Sequence, residues 1–125
     1  MTIVPDMLLF YVEDVGRSVA FYSALFDRKP VEASSGFAMF VLDNGLRFAV
    51  WRKDAVEPAA DATGGGGELA FAAKSRDEVE QAARDWAANN TRIAQPPIDL
   101  EFGFTAVGLD PDNHRIRIFL PAQRQ

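Results

Sequence analysis

Apolar and polar positions along this chain follow one plan that is written twice. Met7 to Val12 is a short apolar run, Met-Leu-Leu-Phe-Tyr-Val, bounded by Asp6 and by Glu13-Asp14. Its length and aromatic content predict a buried strand. Asp14 is a residue suited to cap a helix. Val15, Val19, Tyr22 and Phe26 follow at helical spacing, with Phe21 and Leu25 widening the apolar stripe. Asp27-Arg28-Lys29-Pro30 ends that helix, because proline cannot continue it. Two strands are predicted around Val31–Ala33 and Gly36–Leu42, and Asp43-Asn44-Gly45 makes a hairpin turn into Leu46–Trp51. The first half reads βαβββ.

The second half repeats the plan after Gly64-Gly65-Gly66-Gly67. Glu68 to Ala73 is a strand, Ser75 and Glu78 form a capping box, and Val79, Ala82, Ala83, Trp86 and Ala87 mark one helix face up to Asn89-Asn90. A weak strand at Ile93–Ala94 stops before Pro96-Pro97, and a better one runs from Phe102 to Leu109. Asp110-Pro111-Asp112-Asn113 is turn chemistry. Beyond it Arg115, Arg117 and Phe119 alternate with Ile116 and Ile118, the period of a strand. With one extra residue allowed in the later turn, Arg47 matches Arg115, Ala49 matches Arg117 and Trp51 matches Phe119. Superimposing the two caps, Asp14 on Ser75, places Met7 on Glu68.

Composition narrows the function. The chain has 125 residues, 48% hydrophobic and 25% charged, enough for a real core. Thirteen basic against eighteen acidic residues give a net charge of −5 with no basic run, which argues against a nucleic-acid partner. With no cysteine there is no disulfide, thiol catalysis or thiolate metal site. The start lacks a basic segment followed by an apolar one, and no apolar run is long enough to span a bilayer. The expectation is a cytoplasmic protein with no membrane partner. The four glycines lack a following Gly-Lys-Ser/Thr and open no helix, so residues 53–66 read as a flexible linker rather than a phosphate loop.

Two βαβββ units (about 6–52 and 67–120), with Val-Glu-Asp-Val-x-x-Ser-Val-x-Phe-Tyr early and Asp-Pro-Asp-Asn-x-x-Ile late, resemble the vicinal oxygen chelate superfamily of glyoxalases, extradiol dioxygenases and bleomycin-resistance proteins. The resemblance covers essentially the whole chain. It implies a single α+β domain in which two cupped mixed sheets enclose a cavity, commonly closed across a homodimer. It also implies metal ligands on the first and last strands of each unit. Those positions carry Met7, Ala49, Glu68 and Arg117 here. A thioether, a methyl group, one carboxylate and a guanidinium do not suit a divalent metal that wants several oxygen or imidazole donors. Arginine moreover has no lone pair to donate. No metal or other cofactor is therefore expected. His114 falls in the turn, away from every ligand position, and reads as an exposed or locally capping residue.

What remains is a binding site. Glu68 and Arg117 are expected to meet in the cavity, where removing one partner would cost on the order of 3–5 kcal/mol if the pair is buried. Trp51 shares a strand face with Ala49 and Arg47 and offers a flat apolar body for stacking, while Trp86 belongs to the helix–sheet core. Phe37, Phe40, Phe102 and Phe104 add aromatic surface, and Phe104 is placed with the ligand site. The motifs Tyr11 to Ser18, Phe48 to Trp51, Glu68 and Asp-Pro-Asp-x-His-x-Ile-Arg look most like those of phenazine-resistance members of the superfamily. In those members a tryptophan stacks on a tricyclic ligand, which implies that role for Trp51. The expected function is metal-independent sequestration of a planar aromatic compound such as an antibiotic, without catalysis. The alternatives are a metal-dependent glyoxalase-type lyase or dioxygenase, and a metal-free enzyme using Glu68 as base.

Overall fold

The computed structural model describes residues 3–62 and 64–122. The chain divides into two compact units, Met1–Thr63 and Gly64–Gln125. Unit 1 runs β1 (Met7–Val12), α1 (Val15–Phe26), β2 (Glu32–Ala33), β3 (Phe37–Val41) and β4 (Arg47–Arg52), followed by a single 3-10 turn at Lys53–Ala55. Unit 2 runs β5 (Glu68–Ala72), α2 (Arg76–Ala88), β6 (Arg92–Leu100), β7 (Gly103–Leu109) and β8 (Arg115–Pro121). Each unit is a four-stranded mixed sheet, ordered β1-β4-β3-β2 in one and β5-β8-β7-β6 in the other. The fold is α+β, as the pattern predicts. Among the described residues no helix is long and apolar enough to cross a membrane.

The repeat extends to strand register. β1 and β4 are parallel with Met7 opposite Arg47, and β5 and β8 are parallel with Glu68 opposite Arg115. Both helices start where capping chemistry places them. Asp14 accepts the Arg17 amide at 3.1 Å and Ser75 accepts the Glu78 amide at 3.2 Å, each filling an orphan donor of the first turn. Glu78 in turn accepts the Lys74 amide at 3.0 Å. α1 ends where the sequence places its end, but by a different cause. Asp27 takes a left-handed conformation (φ 50°, ψ 51°), and its amide bonds the Ser23 carbonyl. The helix is thus closed by its own C-cap, three residues before Pro30.

Each core lies between a helix and one sheet face. In unit 1, Tyr22 and Phe26 of α1 pack on Phe48 at ring distances of 4.5 and 5.2 Å, and Phe10 meets Phe48 edge-on at 5.3 Å. In unit 2, Val79 and Ala83 of α2 pack with Ala73, Phe104 and Ala106, joined by Ile118 and Leu120. Strand alternation then sends the odd-numbered residues of β4 and β8 to the opposite face.

Two stretches depart from the sequence reading. β6 spans nine residues straight through Pro96-Pro97, with its register against β7 shifting between Gln95 and Ile98. The two prolines are tolerated because β6 is an edge strand, where one of two successive N–H groups faces away from β7, and because the register shift between Gln95 and Ile98 takes up the other. The glycine run is also anchored at one end. A Cβ on Gly64 would come within 2.6 Å of both the Asp112 carbonyl oxygen and the His114 amide nitrogen, so the backbone is pressed against the terminal turn. That turn is itself tightly bonded. Asp110 is fully buried, one of its carboxylate oxygens accepts the amides of Asp112 and His114, and the other lies 2.8 Å from the His114 ring. His114 is thus a buried turn residue, and the exposed reading of it is corrected.

Candidate functional site

The face of unit 1 turned away from α1 is aromatic. Met7, Leu9 and Tyr11 of β1 lie in register with Arg47, Ala49 and Trp51 of β4, and β3 places Val41, Met39 and Phe37 on the other side of the same rows. Trp51 therefore stands in one row between Tyr11 and Phe37, with the Tyr11 ring edge-on at 6.5 Å. An indole held against the edge of Tyr11 loses little freedom on stacking, which favours affinity. Arg47 lies at the far end of the strand, exposed and ion-paired with Asp6 at 3.2 Å. Met7 beside it is 38% exposed. Ala49 is on the expected face but fully buried, flanked by the longer Leu9 and Met39, so its methyl group is closed off from contact. That corrects its placement among the ligand-contacting residues.

In unit 2 the corresponding face holds a charged constellation. Arg117 bonds Glu68 at two points, Nε to Oε1 at 2.8 Å and Nη2 to Oε2 at 2.9 Å, and Nη1 bonds the Thr105 hydroxyl at 3.0 Å. Thr105 in turn donates its hydroxyl hydrogen bond to the Ile118 carbonyl at 2.9 Å and is fully buried. The fork geometry of guanidinium and carboxylate makes this the strong form of ion pair. The hydrogen bonds from Arg117, followed by its charge and that of Arg115, hold the Glu68 carboxyl below its ordinary value against the opposing effect of burial. The bond from Glu68 likewise raises the pKa of Arg117. Glu68 is thus held as the anion by its two-point contact with Arg117, which weakens it as a base.

A cleft of about 310 Å³ opens on this face, lined by Glu68, Ala70, Phe102, Arg117 and Phe119. Phe102 and Phe119 meet at 6.3 Å and 68°, and the Arg117 guanidinium lies 5.5 Å from the Phe102 ring centre. Phe104 does not belong here. It is packed in the helix–sheet core, its ring capped by the Arg76 guanidinium at 3.8 Å, and Arg76 is tied down by Asp99 at 2.7 Å. Gly103 explains the misplacement. The turn before β7 leaves Phe102 outside the strand, and Phe104 then falls in step with the core residue Ala106. Alternation alone would put Phe102, Phe104 and Ala106 on one face; the turn ending at Gly103 takes Phe102 off it.

The positions that would carry metal ligands do not fit a metal in either unit. In unit 2 both oxygens of Glu68 are engaged by Arg117, which brings a positive charge to the place a cation would take. In unit 1, Met7 and Ala49 supply one soft thioether. Among the described residues no three His, Cys, Asp or Glu side chains gather to hold an ion.

Known proteins align with this chain over nearly its whole length. The profile of the Glyoxalase/Bleomycin resistance protein/Dioxygenase superfamily matches residues 5–118. The phenazine antibiotic resistance protein EhpR of Enterobacter agglomerans is 30% identical over 121 residues, which cover 94% of this chain and 92% of that protein. The solution structure of protein ATC0852 from Agrobacterium tumefaciens superimposes with a TM-score of 0.90 at 40% identity, covering 98% of this chain and all of that one. A glyoxalase-related enzyme from Fulvimarina pelagi shares the fold, with a TM-score of 0.82 at 21% identity over 96% of this chain and 88% of its own.

Proposed function

The chain belongs to the glyoxalase/bleomycin resistance protein/dioxygenase superfamily, and from that premise we propose that it is a metal-independent binding protein that sequesters a planar aromatic compound of the phenazine type. The observation that carries this reading is Trp51 in its row with Tyr11 and Phe37 on the sheet face away from α1. Such a row offers stacking area without a nucleophile, a metal set or a basic carboxylate beside it. The likeness to EhpR, a phenazine antibiotic resistance protein, supports the ligand class. The Glu68–Arg117 pair supports metal independence, because a guanidinium occupies the coordination of the one carboxylate available.

The working form in this reading is a homodimer. Met7, Tyr11 and Val41 share the aromatic face of unit 1 and are each more than a third exposed. An apolar face of this kind is commonly covered by a partner. The test of binding is a titration of the purified protein with phenazine, followed by quenching of tryptophan fluorescence. Saturable quenching with an affinity better than millimolar supports sequestration, and its absence across a panel of flat tricyclic compounds overturns it.

A further inference from the structure

The cleft of unit 2 joins two chemistries. Ala70, Phe102 and Phe119 make apolar walls, and Glu68 and Arg117 make the one polar end. The rings of Phe102 and Phe119 stand 6.3 Å apart at 68°, and Phe102 is 48% exposed, a large apolar surface open to whatever enters. At about 310 Å³ the space lies at the low end of small-molecule sites, which run from roughly 300 to 1,000 Å³. It suits a ligand of one or two fused rings.

The polar end is a donor with positive charge to spare. Arg117 spends Nε and one N–H of Nη2 on Glu68, and one N–H of Nη1 on Thr105. One N–H on each terminal nitrogen is then left over among the described residues. Glu68 neutralises one guanidinium, but Arg115 stands opposite Glu68 in the strand register and on the same face as Arg117. Its charge acts on the Glu68 carboxylate alongside that of Arg117. Two guanidinium groups against one carboxylate leave this end net positive. Glu68 does not close it to an anion, because it takes the Nε and Nη2 edge and leaves donors elsewhere on the fork. The buried Thr105 hydroxyl accepts from Arg117 and donates to Ile118, so the guanidinium is held from both sides before any ligand arrives.

We propose that the unit 2 cleft binds a planar aromatic anion, its one or two fused rings against Phe102 and Phe119 and its carboxylate received by Arg117 in the field of Arg115. The inference stands on unit 2 alone and does not require the Trp51 row to bind anything.

The test is a proton–nitrogen correlation NMR titration of the full chain with 2-naphthoate and with its neutral counterpart 2-naphthamide, because each signal belongs to one residue. The Arg117 Nε–H and the Phe119 amide report on unit 2, the Trp51 indole reports on unit 1, and affinity is fitted from the unit 2 signals alone. 2-Naphthoate is expected to shift both unit 2 signals saturably and to bind about tenfold or more tighter than the amide, the worth of a hydrogen bond to a charged group. Arg115→Gln should weaken 2-naphthoate severalfold and leave 2-naphthamide unchanged. Glu68→Met with Arg117→Met, read at the Phe119 amide, removes the receiving donors without stranding a charge and should abolish most of the preference. Should that double variant fail to fold, Arg115→Gln decides, and equal ratios in it and in wild type overturn the inference. Equal binding of the two probes to wild type, a preference that survives the double variant, or no shift in unit 2 with either probe also overturns it. A 2-naphthoate that moves only the Trp51 indole overturns it while leaving aromatic binding in unit 1 intact. Saturable unit 2 shifts beside a Trp51 that does not respond to phenazine support it and sink the phenazine reading.

Discussion

Glu68 and Arg117 meet diagonally rather than side by side: the strand partner of Glu68 is Arg115, and the partner of Arg117 is Ala70. The two-point contact is therefore made by side chains leaning along the strands, and Thr105 on β7 braces it from the opposite side. The pair is only partly buried, with side-chain exposures of 30% and 16%. The cost of breaking it is accordingly below the fully buried range.

Replacing Arg117 by Met removes the partner of Glu68 and leaves the Thr105 hydroxyl with one bond fewer. A loss of about 1–3 kcal/mol is expected, the penalty for an unsatisfied polar group discounted for solvent. The double variant Glu68→Met with Arg117→Met should regain much of it, because no charge is then stranded. Urea unfolding of wild type, both single variants and the double variant measures the coupling. Additive effects would mean the two residues act independently.

The depressed pKa of Glu68 makes a signed prediction for pH. Its folded-state value lies below the ordinary 4.5. The pair therefore stabilises the native state fully above that value, and the contribution drains away as pH falls through the lower, folded one. The stability difference between wild type and Glu68→Gln should be constant near neutrality and shrink in acid. Denaturant unfolding from about pH 7 down to about pH 3 follows it, and a difference that grows in acid would contradict the sign.

Trp51→Ala should weaken binding of phenazine by about 2–4 kcal/mol, the range of an aromatic anchor. Trp86 is buried on α2 in the other unit, so Trp86→Phe should change melting temperature and leave affinity alone. Added EDTA should move neither quantity. Titration of the three samples, with and without chelator, separates a stacking role for Trp51 from a structural one.

If the aromatic face of unit 1 is covered by a second copy, light scattering at micromolar concentration should return twice the 13.8 kDa chain mass. Tyr11→Asp, which puts a charge on that face, should shift the mass toward one chain. A monomeric wild type would remove the dimer from the proposal.

Gly64→Ala should destabilise the protein by about 1–3 kcal/mol, the cost of forcing atoms into a filled space. The neighbouring Gly66→Ala should be close to neutral, since a Cβ there meets nothing within 4 Å. Thermal melts of the two variants compare them directly, and equal melting temperatures would mean the contact with the terminal turn is not maintained in solution.

Much of the fold was legible because it is written in local chemistry. Asp14 and Ser75 announce their helices, and Asn44-Gly45 announces its turn, where Gly45 has φ 89° and Asn44 accepts the Leu46 amide. Period-2 alternation placed Arg47, Ala49 and Trp51 on one face, and the resemblance to the superfamily implied that Glu68 meets Arg117, as it does. What escaped was non-local. Nothing in the residues around Pro96-Pro97 says that the strand is an edge, and only an edge excuses two prolines. The burial of His114 depends on Asp110 and on the turn closing around both. The exchange of Phe102 for Phe104 turned on one residue of turn length. The closure of Ala49 depends on strands whose order the sequence leaves open.

The prolines of β6 also bear on behaviour at high concentration. An outer strand with its amides free is a template on which another molecule can add a strand, the first step of fibrous aggregation. One of the two successive N–H groups that Pro96 and Pro97 lack would have pointed outward, and the shift between Gln95 and Ile98 breaks the even spacing an incoming strand would need. β2, the outer strand of the other sheet, is two residues long and too short to seed growth. Each sheet thus has one margin already blunted against polymerisation, which lets the protein carry an apolar face for ligand without offering that margin as a place for chains to stick.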